Sequence, residues 1–170
     1  SSPLNDTEPI TITVNNANRA PKLAAIGNQS VDEGQILQVN VSATDADGTV
    51  PALSASNVPQ GATFTDHHDG TGTFVWETSF FDAGTYPGVT IVAADAEDPN
   101  VKDQKSFAAT VNNVNRTPVI NPVNDVAANE GDTINFLVTA SDPDQTVPAL
   151  SAANVPPGAS FVDHGDGTGT

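Results

Sequence analysis

The chain has 170 residues, with 21 Asp and Glu against 5 Lys and Arg, a net charge of −16 and a pI near 4.1. That negative surplus repels phosphate backbones and anionic bilayers, which excludes nucleic acid as a partner, and no apolar run approaches the ~18 residues that membrane insertion needs. Without Cys or Met, disulfides, thiol catalysis and thiolate metal sites are excluded too.

Taken in chain order, the elements read as strands. Ile10, Ile12 and Val14 alternate with Thr. Leu37, Val39, Val41 and Ala43 alternate with Gln38, Asn40 and Ser42. Asp66 to Gly72 reads as a hairpin turn in which Asp-Gly supplies positive φ, and it leads into Thr73–Trp76. Val89, Ile91, Ala93 and Asp95 keep a strict spacing of two, but Tyr86 stands three before Val89. Pro87-Gly88 is therefore predicted to bulge and return Tyr86 to the core face. Phe107, Ala109 and Val111 alternate with small residues, and Ile134, Phe136, Val138 and Ala140 repeat the earlier pattern. Period-two runs with one apolar face, punctuated by 13 Gly and 13 Pro, predict an all-β fold of antiparallel sandwiches. Phe64, Phe74, Trp76, Tyr86 and Ile91 are its expected core anchors.

An internal repeat organises these strands. Asn18-Arg19-Ala20-Pro21 recurs as Asn115-Arg116-Thr117-Pro118, an offset of 97 residues (115 − 18), and the segments 18–73 and 115–170 share 29 identities in 56 positions without a gap. A period this long exceeds the roughly 20–50 residues of solenoid units, so each repeat is expected to be a domain. The expected division is 1–17 as the C-terminal strand of a preceding repeat, 18–115 as a complete repeat, and 116–170 as the N-terminal half of the next. Nothing within the chain corresponds, in the third repeat, to Phe74 through Ala96. The sequence is thus expected to be a window on a longer one. The other arrangement has residues 7–17 donated as a strand to the third repeat of a neighbouring molecule.

Three segments carry a resemblance: Val31-Asp32-Glu33-Gly34, then Ala43-Thr44-Asp45-Ala46-Asp47-Gly48, then Val58-Pro59-Gln60-Gly61-Ala62-Thr63-Phe64. They are similar to bacterial cadherin-like repeats, and with Thr73–Trp76, Ala83–Tyr86 and Ala93-Ala94-Asp95 they resemble the dystroglycan-type, Ig-like subgroup. The resemblance implies tandem Ig-like/cadherin-like sandwiches in an extracellular or cell-surface protein, such as an adhesin, a filament or a polysaccharide-degrading enzyme.

Strand 36–43 separates Glu33 from Asp45 and Asp47 by several rises of ~3.3 Å, placing them at opposite ends of a repeat. In a head-to-tail array Glu33 would face Asp142 and Asp144 across the linker Asn113-Val114-Asn115. Carboxylate and amide oxygens would then converge from three segments, as a hard cation with 6–8 oxygen ligands requires. The resemblance implies calcium at such a junction: Glu33 resembles the family's early glutamate, Asp45/Asp47 and Asp142/Asp144 its Asp-x-Asp, Asp95 its Ala-x-Asp aspartate, and Asp82 a mid-domain acid. The candidate ligands are therefore Glu33, Asp45, Asp47, Asp82, Asp95, Asn113, Asn115, Asp142 and Asp144. A linker with neutral amides and Arg116 beside the site predicts weak affinity, about 10⁻⁴–10⁻³ M. The alternative reading makes the same acids solvated caps and turn formers.

No catalytic constellation appears: the three histidines occupy one type of turn and no buried partner orients them. The chain is expected to be non-enzymatic, a structural or adhesive module of a surface fibre whose partners are other copies head-to-tail, a surface glycan or an adhesion receptor. The competing class is a carbohydrate-binding accessory module. Trp76 and Tyr86 face the core, leaving Phe80-Phe81 either as an exposed sugar platform or as a plug over the sandwich end.

Overall fold

The computed structural model describes residues 5–15 and 17–170. Its described residues are all-β, in eleven strands: β1 Lys22–Leu23, β2 Gln29–Asp32, β3 Ile36–Thr44, β4 Ala52–Ser56, β5 Thr63–Asp66, β6 Thr71–Glu77, β7 Gly84–Ala94, β8 Lys102–Asn112, β9 Val119–Ile120, β10 Val138–Ser141 and β11 Thr168–Gly169. Among the described residues no helix is long and apolar enough to cross a membrane.

Strands β1 to β8 form two four-stranded sheets, β1-β3-β6-β5 and β2-β8-β7-β4. The alternation read along Leu37–Ala43 is the burial pattern of β3: Leu37, Val39, Val41 and Ala43 face inward and their neighbours face solvent. Between the sheets these residues meet Phe74 and Trp76 from β6, Val89, Ile91 and Ala93 from β7, and Phe107, Ala109 and Val111 from β8. Removing each of the Val, Leu, Ile and Phe side chains among them from water contributes about 1.5–3 kcal/mol. Phe74 meets Phe107 edge-on at 5.7 Å, and Trp76 meets Tyr86 edge-on at 4.7 Å. Every residue of this buried cluster lies between Leu23 and Val111, so the sandwich closes its own core.

The bulge occurs where it is predicted. Tyr86 pairs with Ala109 and Val89 with Phe107, so three steps on β7 oppose two on β8. Gly88 takes φ of 77° there, and the Tyr86 hydroxyl donates back to the Asp82 carbonyl at 3.0 Å. This turns Tyr86 onto the core while Gly84 and Thr85 before it stay exposed, as at the tyrosine corner of Ig-like sandwiches.

Two aspartates stitch the sheets along their edges. Asp66, ending β5, accepts the Leu53 amide of β4 at 3.0 Å, and Asp103 of β8 accepts the Leu23 amide of β1 at 3.0 Å. Each satisfies an edge-strand donor that no ladder reaches.

Three features differ from the sequence expectation. Strand β2 pairs with β8 in parallel, Gln29 with Ala109 through Asp32 with Asn112. The edge segment 22–32 changes sheets between β1 and β2, and so meets β8 running in the same direction. Residues 10–14 alternate as expected, yet form no strand and expose Ile10, Ile12 and Val14, because no described neighbour offers them a ladder. Ile134 and Phe136 are exposed for the same reason, and only Val138–Ser141 of that run is strand.

The β9–β11 sheet copies part of the sandwich at the repeat offset. Ile120 pairs with Ala140 as Leu23 pairs with Ala43, and Val138 with Gly169 as Val41 with Gly72. Leu150 donates its amide to Asp163 as Leu53 does to Asp66. Backbone conformation follows: Asn57 and Asn154 have φ of 52° and 55°, and Gly48 and Gln145 of 82° and 62°.

Candidate functional site

The turn between β2 and β3 carries Glu33, whose surroundings follow from the strands it joins. Thr78, just beyond β6, is buried and donates its hydroxyl to the Gln35 carbonyl at 2.8 Å, anchoring this turn to the opposite strand. Glu33 is only 3% exposed. Its Oε1 accepts the Ala83 amide at 3.0 Å and its Oε2 the Val114 amide at 3.1 Å. One carboxylate thus fastens the β6–β7 loop and the chain leaving β8 to the same turn. Asp82 is occupied similarly, its Oδ2 accepting the Ser79 amide at 2.7 Å and hydroxyl at 2.8 Å. Asn113 is exposed, and Asn115 donates to the Arg116 carbonyl.

Two residues past Val114, Arg116 meets the Asp-x-Asp turn that follows β10. Its amide donates to Asp144 Oδ2, its Nε to Asp144 Oδ1 at 2.7 Å, and its Nη2 to the Pro143 carbonyl. The Arg116 amide and guanidinium hold the Asp144 carboxyl below the usual carboxylate range. Asp142 accepts the Asp144 amide at 2.8 Å, closing the turn. The guanidinium of Arg116 lies over the Phe80 ring at 4.4 Å and within 5.9 Å of the Phe81 centroid. Phe80 in turn packs on Gly34, where an added Cβ would lie 2.9 Å from the ring. The pair therefore sits at the sandwich end beneath an arginine, with Phe81 still 71% exposed.

Arg19 makes the same bonds at the other end, to Asp47 through its amide and Nε and to the Ala46 carbonyl. The Arg19 guanidinium is the main cause of a lowered Asp47 pKa. Nearby, Asp95 is 1% exposed; its Oδ1 accepts the Glu97 and Asp98 amides and the Asn18 side-chain amide. The Asp98 amide is the largest cause of its lowered pKa. The other oxygen of Asp95, and Oδ2 of Asp45, are buried without a hydrogen-bond partner.

Among the described residues no three of His, Asp and Glu come together as a metal would require. The set around the linker does not suit calcium: both oxygens of Glu33 and of Asp144 are already hydrogen-bonded, those of Asp144 to the backbone amide and the guanidinium of Arg116. Asp45 and Asp95 suit it in kind, offering two unpartnered buried carboxylate oxygens, although a complete shell takes 6–8. The histidines lie in their turns, His67 bonded to Thr71 at 3.0 Å and His164 to Thr168 at 2.9 Å.

Sequence reasoning named the acids but missed what they hold. The pairing of Arg116 with Asp144 had a signal in the joint recurrence of Asn-Arg-x-Pro and Asp-x-Asp at one offset. The seat of Arg116 on Phe80 had none.

No family model matches the chain. A chitinase A of Pseudoalteromonas piscicida is 29% identical over 132 residues, covering 75% of this chain and 15% of that protein. The chain thus spans about 15% of that relative's length. Among solved structures, the SrpA adhesin of Streptococcus sanguinis superposes with a TM-score of 0.51 at 11% identity, over 77% of this chain and 90% of that one. Titin domains z1z2, in complex with telethonin, give a TM-score of 0.48 at 13% identity, over 90% of this chain and 80% of that one. With its two facing sheets and its tyrosine corner, the chain has an Ig-like β-sandwich fold.

Proposed function

We propose that the chain is a stretch of a tandem, cadherin-like array of Ig-like sandwiches that works outside the cell as a spacing and adhesive rod, with no catalytic role. In this reading residues 18–115 are one complete unit, 1–17 close the unit before it and 116–170 open the one after. The partners are further copies placed head-to-tail. The observation that carries it is Glu33, which grips Val114 in the exit linker from inside the sandwich and so fixes the direction in which the chain leaves. The recurrence of sequence, strand register and backbone angles at one offset supports the division into units. Small-angle scattering on chains carrying two, three and four complete units tests it. The maximum dimension is expected to grow by a constant increment of about 40 Å, set by an 11-residue strand plus linker. Growth that flattens as units are added would rule out a rod.

Calcium belongs to this proposal at Asp45 and Asp95, where two buried oxygens lack donors. At ten times a millimolar-range dissociation constant it would add about 1.4 kcal/mol. The transition temperature is expected to rise in calcium relative to chelator, and Asp95→Asn to abolish the rise. Identical melts of the unmodified chain would remove calcium from the account.

A second reading, a carbohydrate-binding accessory module, is favoured by the match to a chitinase. That match also supports an extracellular setting, since chitin is a polymer too large to enter a cell. Phe81, at 71%, is the most exposed phenylalanine ring among the described residues and so the one most available to a sugar. Cosedimentation with insoluble chitin that Phe81→Ala abolishes would favour this reading over the first.

A further inference from the structure

The chain has two arginines, and they stand at the same place in the repeat. Both are locked in the same way, amide and Nε to the second aspartate of Asp-x-Asp and Nη2 to the carbonyl between the two. Their side chains differ in cover, 60% exposed for Arg19 and 26% for Arg116. Arg116 lies over the rings of Phe80 and Phe81, which belong to the preceding sandwich. The hydrogen bonds occupy one edge of the guanidinium and leave its flat face free, and a ring face binds a cation best when that cation is partly removed from water. Glu33 holds the linker from the same sandwich end, two residues before the arginine.

We infer that the junction between successive repeats is a cation–aromatic latch. Arg116 is held by Asp144 of its own repeat and received by the Phe80–Phe81 corner of the repeat before it. The arginine sets the angle between the two, and no divalent ion is needed there. By the same geometry the open face of Arg19 is a docking surface whose partner is the Phe-Phe corner of another copy of this repeat. The inference rests on the tandem-array reading and names what joins its units. Arg116 is a positioning residue: it acts on orientation through Asp144 on one side and two rings on the other. Lysine is no substitute, because an ammonium cannot bond the Asp144 carboxylate and the Pro143 carbonyl from one plane and lie flat on a ring together.

Residual dipolar couplings on the intact chain test this, comparing amides of β3, β6, β7 and β8 with those of β9, β10 and β11. The unmodified chain is expected to fit one alignment frame, unchanged by millimolar calcium or by chelator. In Arg116→Lys the common frame should weaken, and in Arg116→Ala it should be lost. Because Arg116→Ala also removes the guanidinium bond to Asp144 and could unfold the short sheet, a second variant keeps that bond: Phe80→Leu with Phe81→Leu. This double variant should lose the common frame and the ring-current shift of the Arg116 side chain, while the Asp144 turn resonances stay in place. A common frame that survives the double leucine variant, or one that collapses on chelation, overturns the latch. The scattering series is a separate measurement: arrays that grow steadily with a dispensable Arg116 would sink the latch alone, and arrays that collapse would sink the rod alone.

Discussion

Glu33 has a buried carboxylate with each oxygen on a different backbone amide, Ala83 in one loop and Val114 in the exit linker. Replacing it by Ala would leave two donors without acceptors, at about 1–3 kcal/mol each. Glu33→Gln, which keeps one acceptor, should cost about half as much. Urea unfolding measures the total, and hydrogen exchange at Val114 should quicken in proportion. A loss below about 1 kcal/mol in Glu33→Ala would show that these amides find other partners. The sequence pointed to Glu33 as a residue reaching across the linker, and it does reach the linker, but its partner is an amide hydrogen. Arg116 read as a positive charge that would weaken a cation site, whereas it takes Asp144 for itself. Such roles depend on where loops 80 and 116 meet, and spacing along a chain does not report a meeting of loops.

The elements were legible wherever one face is buried. The alternation along β3 and β8, and the three-residue step from Tyr86 to Val89, are properties of the pleat and appear directly as spacing. Two separable outcomes follow at the bulge. Tyr86→Phe keeps the ring against Trp76 but loses the hydroxyl bond to Asp82, at about 0.5–1.5 kcal/mol. Deleting Gly88 removes the extra residue and turns Tyr86 to the solvent face, which should cost about 3–5 kcal/mol, as truncating a large aromatic does, and shift Trp76 emission. Equal losses in the two variants would mean that the bulge does not set which way Tyr86 faces. What alternation cannot convey is a partner. Ile10, Ile12 and Val14 have the pattern of a strand without a ladder, and the parallel course of β2 depends on a change of sheet that leaves no periodic trace.

For the whole molecule, the folded state holds many carboxylates in ionised form. Asp47, Asp66, Asp95, Asp103, Asp144 and Asp163 all have lowered pKa values, and for each the accepted backbone or side-chain donors outweigh burial. Below the unfolded carboxylate range, near pH 4, the unfolded chain then binds more protons than the folded one, so stability falls as pH drops from about 4 through the lowered values. Tyr86 shifts the other way, raised by burial and then by Asp82, so its contribution is lost above about pH 10. Urea midpoints across pH should therefore hold between about 5 and 9 and fall on both sides, and a midpoint still rising below pH 4 would contradict the assignment. The parallel neighbours β2 and β8 bear on a different kind of stress. They are nearly the first and last strands of the sandwich, and their ladder from Gln29–Ala109 to Asp32–Asn112 is extended by the Glu33 amide on the Asn112 carbonyl. Traction on the two termini runs along that ladder, so its bonds are sheared and must yield together. An antiparallel pair drawn apart from one end would unzip a bond at a time.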